Sequence, residues 1–229
     1  MNPVSGHGRI FKNVFFILCE PRGEIDMSHI ITVSREFGSG GRELGKRLAD
    51  ALGFSYFDRE IVTALAAETG LDEEYLANST ETGALSQFPI HFARSFTQIP
   101  TVPNDVVKLM SMQTSLIKEL AEKGNCVFVG RAADSILEEY NPFKIFVYAD
   151  EQSKLDRCKQ RAEEGENLTD REMLRAMKRI DKARAEFHDI ISEYKWGDKE
   201  GYDLCINTTG LEIKKVIPAL AEYYRNIAS

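Results

Sequence analysis

The stretch that most constrains this chain is Ile30–Gly53, where a short apolar run passes through a glycine-rich turn into an amphipathic helix. Ile30, Ile31 and Val33 suit a strand buried on both faces. Gly38-Ser39-Gly40-Gly41 follows, and then Leu44, Leu48 and Leu52, with Ala49 and Ala51, recur at helical spacing until Gly53. Strand, glycine turn and helix in this order aim successive backbone N–H groups and a helix N-terminus at a phosphate. A Cβ in such a turn would block both positive φ and close approach. Many strand–helix junctions carry glycine merely to turn a corner, so the turn alone leaves both uses open.

Measured against G-x-x-x-x-G-K-[ST], the second glycine is Gly40, Arg35 stands for the first, Gly41 for the lysine and Arg42 for the hydroxyl residue. This is a phosphate loop in outline with its lysine and its magnesium-binding hydroxyl both missing. Arg42, at the helix start, is the cation placed to substitute by curling back over the turn. Its other fate is a surface pair near Glu43 or Lys46.

Further along, Phe54–Phe57 reads as a second strand ending at Asp58, and Ile61, Val62, Leu65 and Ala66 carry a helix to about Thr69. Leu71–Asn78 reads as another short helix. The following stretch to Pro103 mixes prolines with Phe88, Phe92, Phe96 and Ile99, which fits either a ligand-facing insert or a satellite cluster on the core. Val106 to Ala121 marks a long amphipathic helix, Cys126–Val129 a buried strand before a further helix, and Lys144–Tyr148 another strand. Helices then span Glu151 to about Ala162 and Asp170 to about His188, the second opened by a Thr169/Glu172 capping box. Leu204–Ile206 is the last strand and Leu211–Ile227 the last helix. Strands separated by helices throughout point to an α/β fold with a parallel sheet covered on both faces.

The 229 residues suffice for one domain of substantial core, and a net charge of −7 argues against a general nucleic-acid binder or an anionic membrane surface. Val14–Cys19 is apolar but too short to span a membrane. The four cysteines show no CxxC spacing and read as free thiols of a reducing, cytoplasmic setting. The scattered histidines form no zinc site. A polyanionic ligand must therefore be met by local arginines.

In open parallel sheets ligands sit beyond the carboxyl ends of the strands. Arg35, Glu36 and Arg42 follow the first strand, Asp58 and Arg59 the second, and Gly130-Arg131-Ala132-Ala133-Asp134 the third. Their convergence makes a phosphate-ligand crevice; the alternative is structural Arg–Asp bridging. Arg171, Arg175, Lys178 and Lys182 form a basic stripe on the capped helix, either a solvated face or the cations of a closing lid.

SREFGSGGRELGKRLA at Ser34–Ala49, YFDREI at Tyr56–Ile61, VFVGRAAD at Val127–Asp134, DKARAEF at Asp181–Phe187, and Trp196-Gly197 before YDLCINTTGL at Tyr202–Leu211 occur in that order. With these motifs the chain from about Met27 onward resembles the cytidylate kinase-like proteins, relatives of the nucleoside monophosphate kinases. The resemblance implies a three-layer P-loop kinase domain over 27–229, with a five-stranded parallel sheet of order 2-3-1-4-5 and helices on both faces. It also implies an acceptor-binding insert at about 71–103 and a lid region at about 157–190. By motif position Gly38, Ser39, Gly40, Gly41 and Arg42 would cradle the donor phosphates of ATP. Asp58 would meet the acceptor's sugar and Arg131 its phosphate. Arg157, Arg161, Arg179 and Arg184 would be the lid and catalytic arginines. The aspartate of the family's G-R-D is Ala132 here, with Asp134 two residues later as a further acceptor-site residue. No side chain is assigned as a direct metal ligand; Mg²⁺ would bridge donor phosphates with Asp134 or Glu43 in its outer shell.

The function expected is ATP-dependent phosphorylation of a small nucleotide, with cytidine monophosphate (CMP) the leading acceptor. The alternatives are a nucleotide-binding sensor without turnover, or a kinase for another small metabolite. Residues 1–26 are expected to be a loose extension or to precede the true start at Met27, the other reading being an extra strand or helix. A chain begun at Met27 should keep its thermal midpoint within a few degrees, about 1 kcal/mol at this size. A larger drop in a melting experiment would show that the segment packs on the core.

Overall fold

The computed structural model describes residues 29–70, 104–161 and 168–228. The extension at 1–26, the short helix expected at Leu71–Asn78 and the insert at 71–103 lie outside the described residues. Five strands alternate with helices: β1 Ile30–Arg35, α1 Gly41–Leu52, β2 Ser55–Phe57, α2 Arg59–Thr69, α3 Asn104–Ala121, β3 Cys126–Val129, α4 Ala133–Ile136, β4 Phe143–Tyr148, α5 Glu151–Arg161, α6 Asp170–Ile191, β5 Leu204–Asn207 and α7 Ile213–Ala228. The sheet order is β2-β3-β1-β4-β5, as the resemblance implies. All four pairings are parallel, with Ile31 opposite both Val127 and Phe143.

Alternation along the strands sends side chains to two cores. Ile31, Val33, Val127, Val129, Ile145 and Val147 meet α1 and α7 through Leu44, Leu48, Ile217 and Leu220. Ile30, Phe57, Cys126 and Phe128 meet α2, α3 and α4 through Ile61, Leu65, Ile117 and Ile136. Each fully buried leucine of this kind contributes roughly 1.5–3 kcal/mol of burial. The Thr169/Glu172 capping box forms as expected. Two elements are shorter than the sequence pattern: α4 is a single turn, and α7 starts at Ile213 rather than Leu211. Among the described residues no helix is long and apolar enough to cross a membrane.

Helix α1 lies unusually close to the sheet. A Cβ on Gly45 would stand 2.7 Å from Val129 Cγ2, and one on Gly41 2.5 Å from Arg35 Cβ. Glycine inside a helix ordinarily costs about 1 kcal/mol against alanine, yet here the missing methyl is what lets the layers meet. Val129 is buried and stiff at χ1, so it cannot turn aside. Gly45→Ala should therefore reverse the usual sign and destabilise the protein, by about 1–3 kcal/mol of overpacking. A thermal midpoint several degrees below wild type is the expected result; a rise would show that the helix can draw back.

Candidate active site

Because β2, β3 and β1 are neighbours, the ends of β3 and β1 deliver Arg131 and Arg35 to one crevice, and the end of β2 sets Asp58 beside it, 3.9 Å from Arg35. Asp58 is only 3% exposed, and its carboxylate is held by Arg42 Nε at 2.5 Å, with Arg35 at 3.9 Å. Tyr56 donates to it at 3.5 Å; burial and this carboxylate push the Tyr56 phenol well up, so it stays protonated. After β3 the backbone passes through Gly130, Arg131 and Ala132 at φ 74°, 64° and 50°. Two consecutive non-glycine residues in the left-handed region are strained by roughly 1–2 kcal/mol each. The turn is pinned by Gly130 N–H to Val33 O at 3.1 Å and Ile136 N–H to Ala132 O at 2.9 Å. Strain so anchored aims Arg131 into the crevice.

The crevice holds a small open cleft lined by Arg35, Arg131, Arg184 and His188, with Ser34 and Trp196 beside them. Among the described residues no carboxylate lines it. Beneath it lies Asp134, 1% exposed, whose Oδ2 accepts from Tyr194 at 3.2 Å and Ser34 at 3.3 Å and lies 3.1 Å from His188 Nε2. Burial alone would push this carboxyl up, but the contacts with His188 and Tyr194 outweigh it and hold it below the ordinary value. Asp189 lies 3.5 Å from the other ring nitrogen of His188, so the imidazole is flanked by two carboxylates.

The glycine turn is held from behind. Arg157 on α5 donates to the carbonyls of Gly38 and Ser39 at 3.4 and 3.3 Å and to Thr208 O, while Thr208 Oγ1 donates to Ser39 O at 2.7 Å. Phe37 N–H donates to Asp181 at 2.6 Å, and Arg184 donates to Arg35 O at 3.2 Å, so α6 grips the same turn. Lys154 and Glu36 pair at 2.9 Å across its flank. With its carbonyls drawn backward, the turn leads into α1 through Gly40 at φ 85°, with no side-chain cap on the helix N-terminus. The geometry suits a row of phosphates at the positive end of the helix dipole, which would draw Ser39 N–H from Glu36 O at 3.3 Å and Gly41 N–H from Ser39 Oγ at 3.4 Å.

The structure thus brings together Asp58, Arg131, Arg42 and Arg184, with Asp134 directly below. Arg42 is engaged by Asp58, a buried carboxylate that draws the nearby cation sideways, so a reach over the turn requires exchanging that partner. Arg157 stands behind the loop as a clamp. Arg161 pairs with Glu43 at 2.6 Å on the surface, and Arg179 is exposed on α6, so neither enters the crevice. The basic stripe is a solvated face, with Lys178 on Glu151 at 2.6 Å and Lys182 near Glu186 at 3.6 Å. The Arg59 side chain lies outside what is described. As for magnesium, Asp134 is saturated by its donors at Oδ2 and sealed from solvent, and Glu43 is taken by Arg47 and Arg161. No group of three His, Cys, Asp or Glu side chains that would hold a metal occurs among the described residues. Either carboxylate would have to exchange its present partners to take an outer-shell place beside Mg²⁺. Sequence reasoning passed over His188, Tyr194 and Trp196; the signal was His188 four residues beyond Arg184 on one helix face.

Taken together, the sheet order and the glycine turn define a P-loop kinase fold. A model of the cytidylate kinase-like family matches residues 30–210, and the chain belongs to that family. Among solved structures it is similar to an uncharacterized protein from Eubacterium ventriosum, at 27% identity and TM-score 0.60, covering 86% of this chain and 98% of that one. It shares its fold with shikimate kinase from Bacteroides thetaiotaomicron, at 13% identity and TM-score 0.53, covering 86% of this chain and 98% of that one. Comparison with curated proteins gives no match.

The low-lying Asp134 carboxyl has a consequence for stability. Its folded value lies below its unfolded one, so the stabilisation is complete above about pH 4 and is lost as pH falls through the lower folded value. Asp134→Asn should lower the unfolding free energy measured in urea at pH 7 by an amount on the order of 1–3 kcal/mol. The wild-type and variant curves should converge as pH falls from about 4 toward 2. A gap that stays constant over that range would mean that the charge of Asp134 is not what stabilises the fold.

Proposed function

We propose that this protein is an ATP-dependent phosphotransferase acting on a nucleoside monophosphate, with CMP the leading acceptor. The carrying observation is the cleft beside the glycine turn, lined among the described residues by three arginines and a histidine and by no acidic side chain. Such a lining favours an anionic acceptor, and guanidinium groups grip phosphate bidentately. In this reading the N–H groups of Gly38, Ser39, Gly40, Gly41 and Arg42 receive the donor phosphates, and Arg35, Arg131 and Arg184 receive the acceptor phosphate. Asp58, at the end of β2, lies where the acceptor's sugar hydroxyls would reach. A phosphate acceptor is already ionised at neutral pH and needs no base. One of its oxygens forms the new bond to the γ-phosphorus as the bond to the bridging oxygen breaks, and ADP leaves. Work of this kind is mostly positioning and charge stabilisation. Arg42, released from Asp58, is the cation proposed to follow the moving group, while Arg161 and Arg179 would act only if α5 and α6 closed over the donor.

A second reading, binding without turnover, is favoured by one observation: Gly41 leaves the lysine position empty and Arg42 is committed to Asp58. A coupled assay of ADP release across nucleotides, nucleosides and small hydroxy acids separates the two. In that assay Arg131→Lys should raise the acceptor KM by about 10-fold or more, the loss of one bidentate grip, while the KM for ATP stays unchanged. Equal losses for both ligands would make Arg131 a structural residue, and an inactive wild type that still binds nucleotide would favour the second reading.

A further inference from the structure

One buried group is used by neither the fold nor the mechanism above. Gln113 on α3 is 1% exposed, and neither its amide oxygen nor its amide nitrogen has a hydrogen-bond partner among the described residues. It interrupts an otherwise apolar stripe: Leu109 and Ile117 lie one turn on either side, and Leu116 and Leu120 continue it, all buried. A buried amide without partners weakens a fold that an aliphatic side chain of similar size would strengthen. Its place in the molecule gives it a use. A short turn joins α3 to β3, so the helix runs antiparallel to the strand. Gln113 is about 12 Å along the helix from Ala121, and the four residues of β3 span about 13 Å. The amide therefore stands level with the carboxyl end of β3, where Arg131 follows. The stripe that carries it packs in one cluster with Phe57, which precedes Asp58, and with Ala133 of the Arg131 turn.

We propose that Gln113 is a specificity-determining residue that reads the hydrogen-bonding edge of the acceptor's nucleobase. This rests on the acceptor reading of the preceding subsection and extends it. A primary amide presents one donor and one acceptor side by side. That pair matches the amino group and ring nitrogen of cytosine, just as glutamine pairs bidentately with adenine. With its phosphate on the arginines, an acceptor extending past Arg131 toward α3 would bring its base to this amide. Because the amide can turn over, it selects a base edge as such, and the acceptor class is a nucleoside monophosphate rather than a sugar phosphate or hydroxy acid.

The test uses the full chain and two variants, Gln113→Met, close in volume, and Gln113→Leu. Thermal midpoints are measured without ligand, and kcat/KM is measured for CMP and for ribose 5-phosphate, which keeps the phosphate and sugar but lacks the base. The midpoints should rise by about 2–6 °C. The preference for CMP over ribose 5-phosphate should fall by about 10-fold or more, since a site built around a polar edge loses discrimination with it. The KM for ATP should not move. Midpoints that fall in both variants, a preference within about threefold of wild type, or a parallel change in the KM for ATP would each overturn the inference. A wild type inactive on every nucleoside monophosphate would overturn the acceptor reading and this inference with it. An active wild type whose preference ignores the substitutions overturns the inference alone.

Discussion

The arrangement depends on how closely α1 approaches the sheet. With Cβ atoms at Gly41 and Gly45 the helix would stand off from Arg35 and Val129, and the turn before it would lift from the strand ends. Only a helix seated this low starts beside Arg35 and Asp58, with its N-terminus aimed across the crevice. The cost of glycine inside a helix, about 1 kcal/mol at each position, is offset by burial of Leu44, Leu48 and Ala49 against the strands. Proximity here serves the fold and the phosphate turn at once, because a phosphate also needs the backbone bare.

A second constraint ties the far side of the crevice together. Asp134 gathers Ser34 from β1, His188 from α6 and Tyr194 from the segment after it, so one buried carboxylate joins three parts of the chain. Asp189 repeats the arrangement one step outward, accepting from Trp196 N–H at 3.0 Å and from Lys195 at 2.9 Å. Through these contacts the C-terminal end of α6 is fixed to the sheet. Its middle, at Asp181 and Arg184, grips the turn after β1. Any movement of α6 over a bound donor would pivot on the first set of contacts and break the second.

The strands, the glycine turn, the capping box and the sheet order were legible because each has a local signature: apolar runs, φ-permissive glycines, Thr169 three residues before Glu172, and an ordered set of motifs. Convergence of Arg35, Asp58 and Arg131 followed from the rule that ligands sit at strand carboxyl ends. Partner choice was not legible. Whether Arg42 turns toward the phosphates or toward Asp58 depends on how deeply Asp58 is buried, and whether Asp134 faces a ligand or His188 depends on where α6 lands. Arg161 and Arg179 matched by position, yet they lie on exposed faces, since spacing along a helix does not say which face meets a ligand. The orphaned amide of Gln113 was invisible for the same reason: a polar residue in an apolar stripe is remarkable only once its surroundings hold no partner.

The charges are distributed unevenly across the two halves of the crevice, and this bears on how a loop without its lysine would work. On the donor side Lys154 is balanced by Glu36, while Arg157 keeps its full charge behind the turn, its donors on backbone carbonyls, and the helix N-terminus presents its N–H groups in front. On the acceptor side the described lining of one cleft includes Arg35, Arg131 and Arg184, with Asp58 3.9 Å from Arg35 and Asp181 3.6 Å from Arg184 just outside it. Ground-state binding of the donor would then combine dipoles, worth about 0.3–1 kcal/mol at an exposed terminus, with the charge of Arg157 behind them, and binding of the acceptor would draw on three guanidinium groups, two of them partly balanced. On the proposed reading, a phosphoryl group leaving the turn would approach those guanidinium groups, so stabilisation would grow along the reaction coordinate, the condition under which binding energy accelerates the chemical step. On that reading the acceptor-side cations would supply part of what a lysine of the turn otherwise gives, provided that the phosphate displaces their present partners.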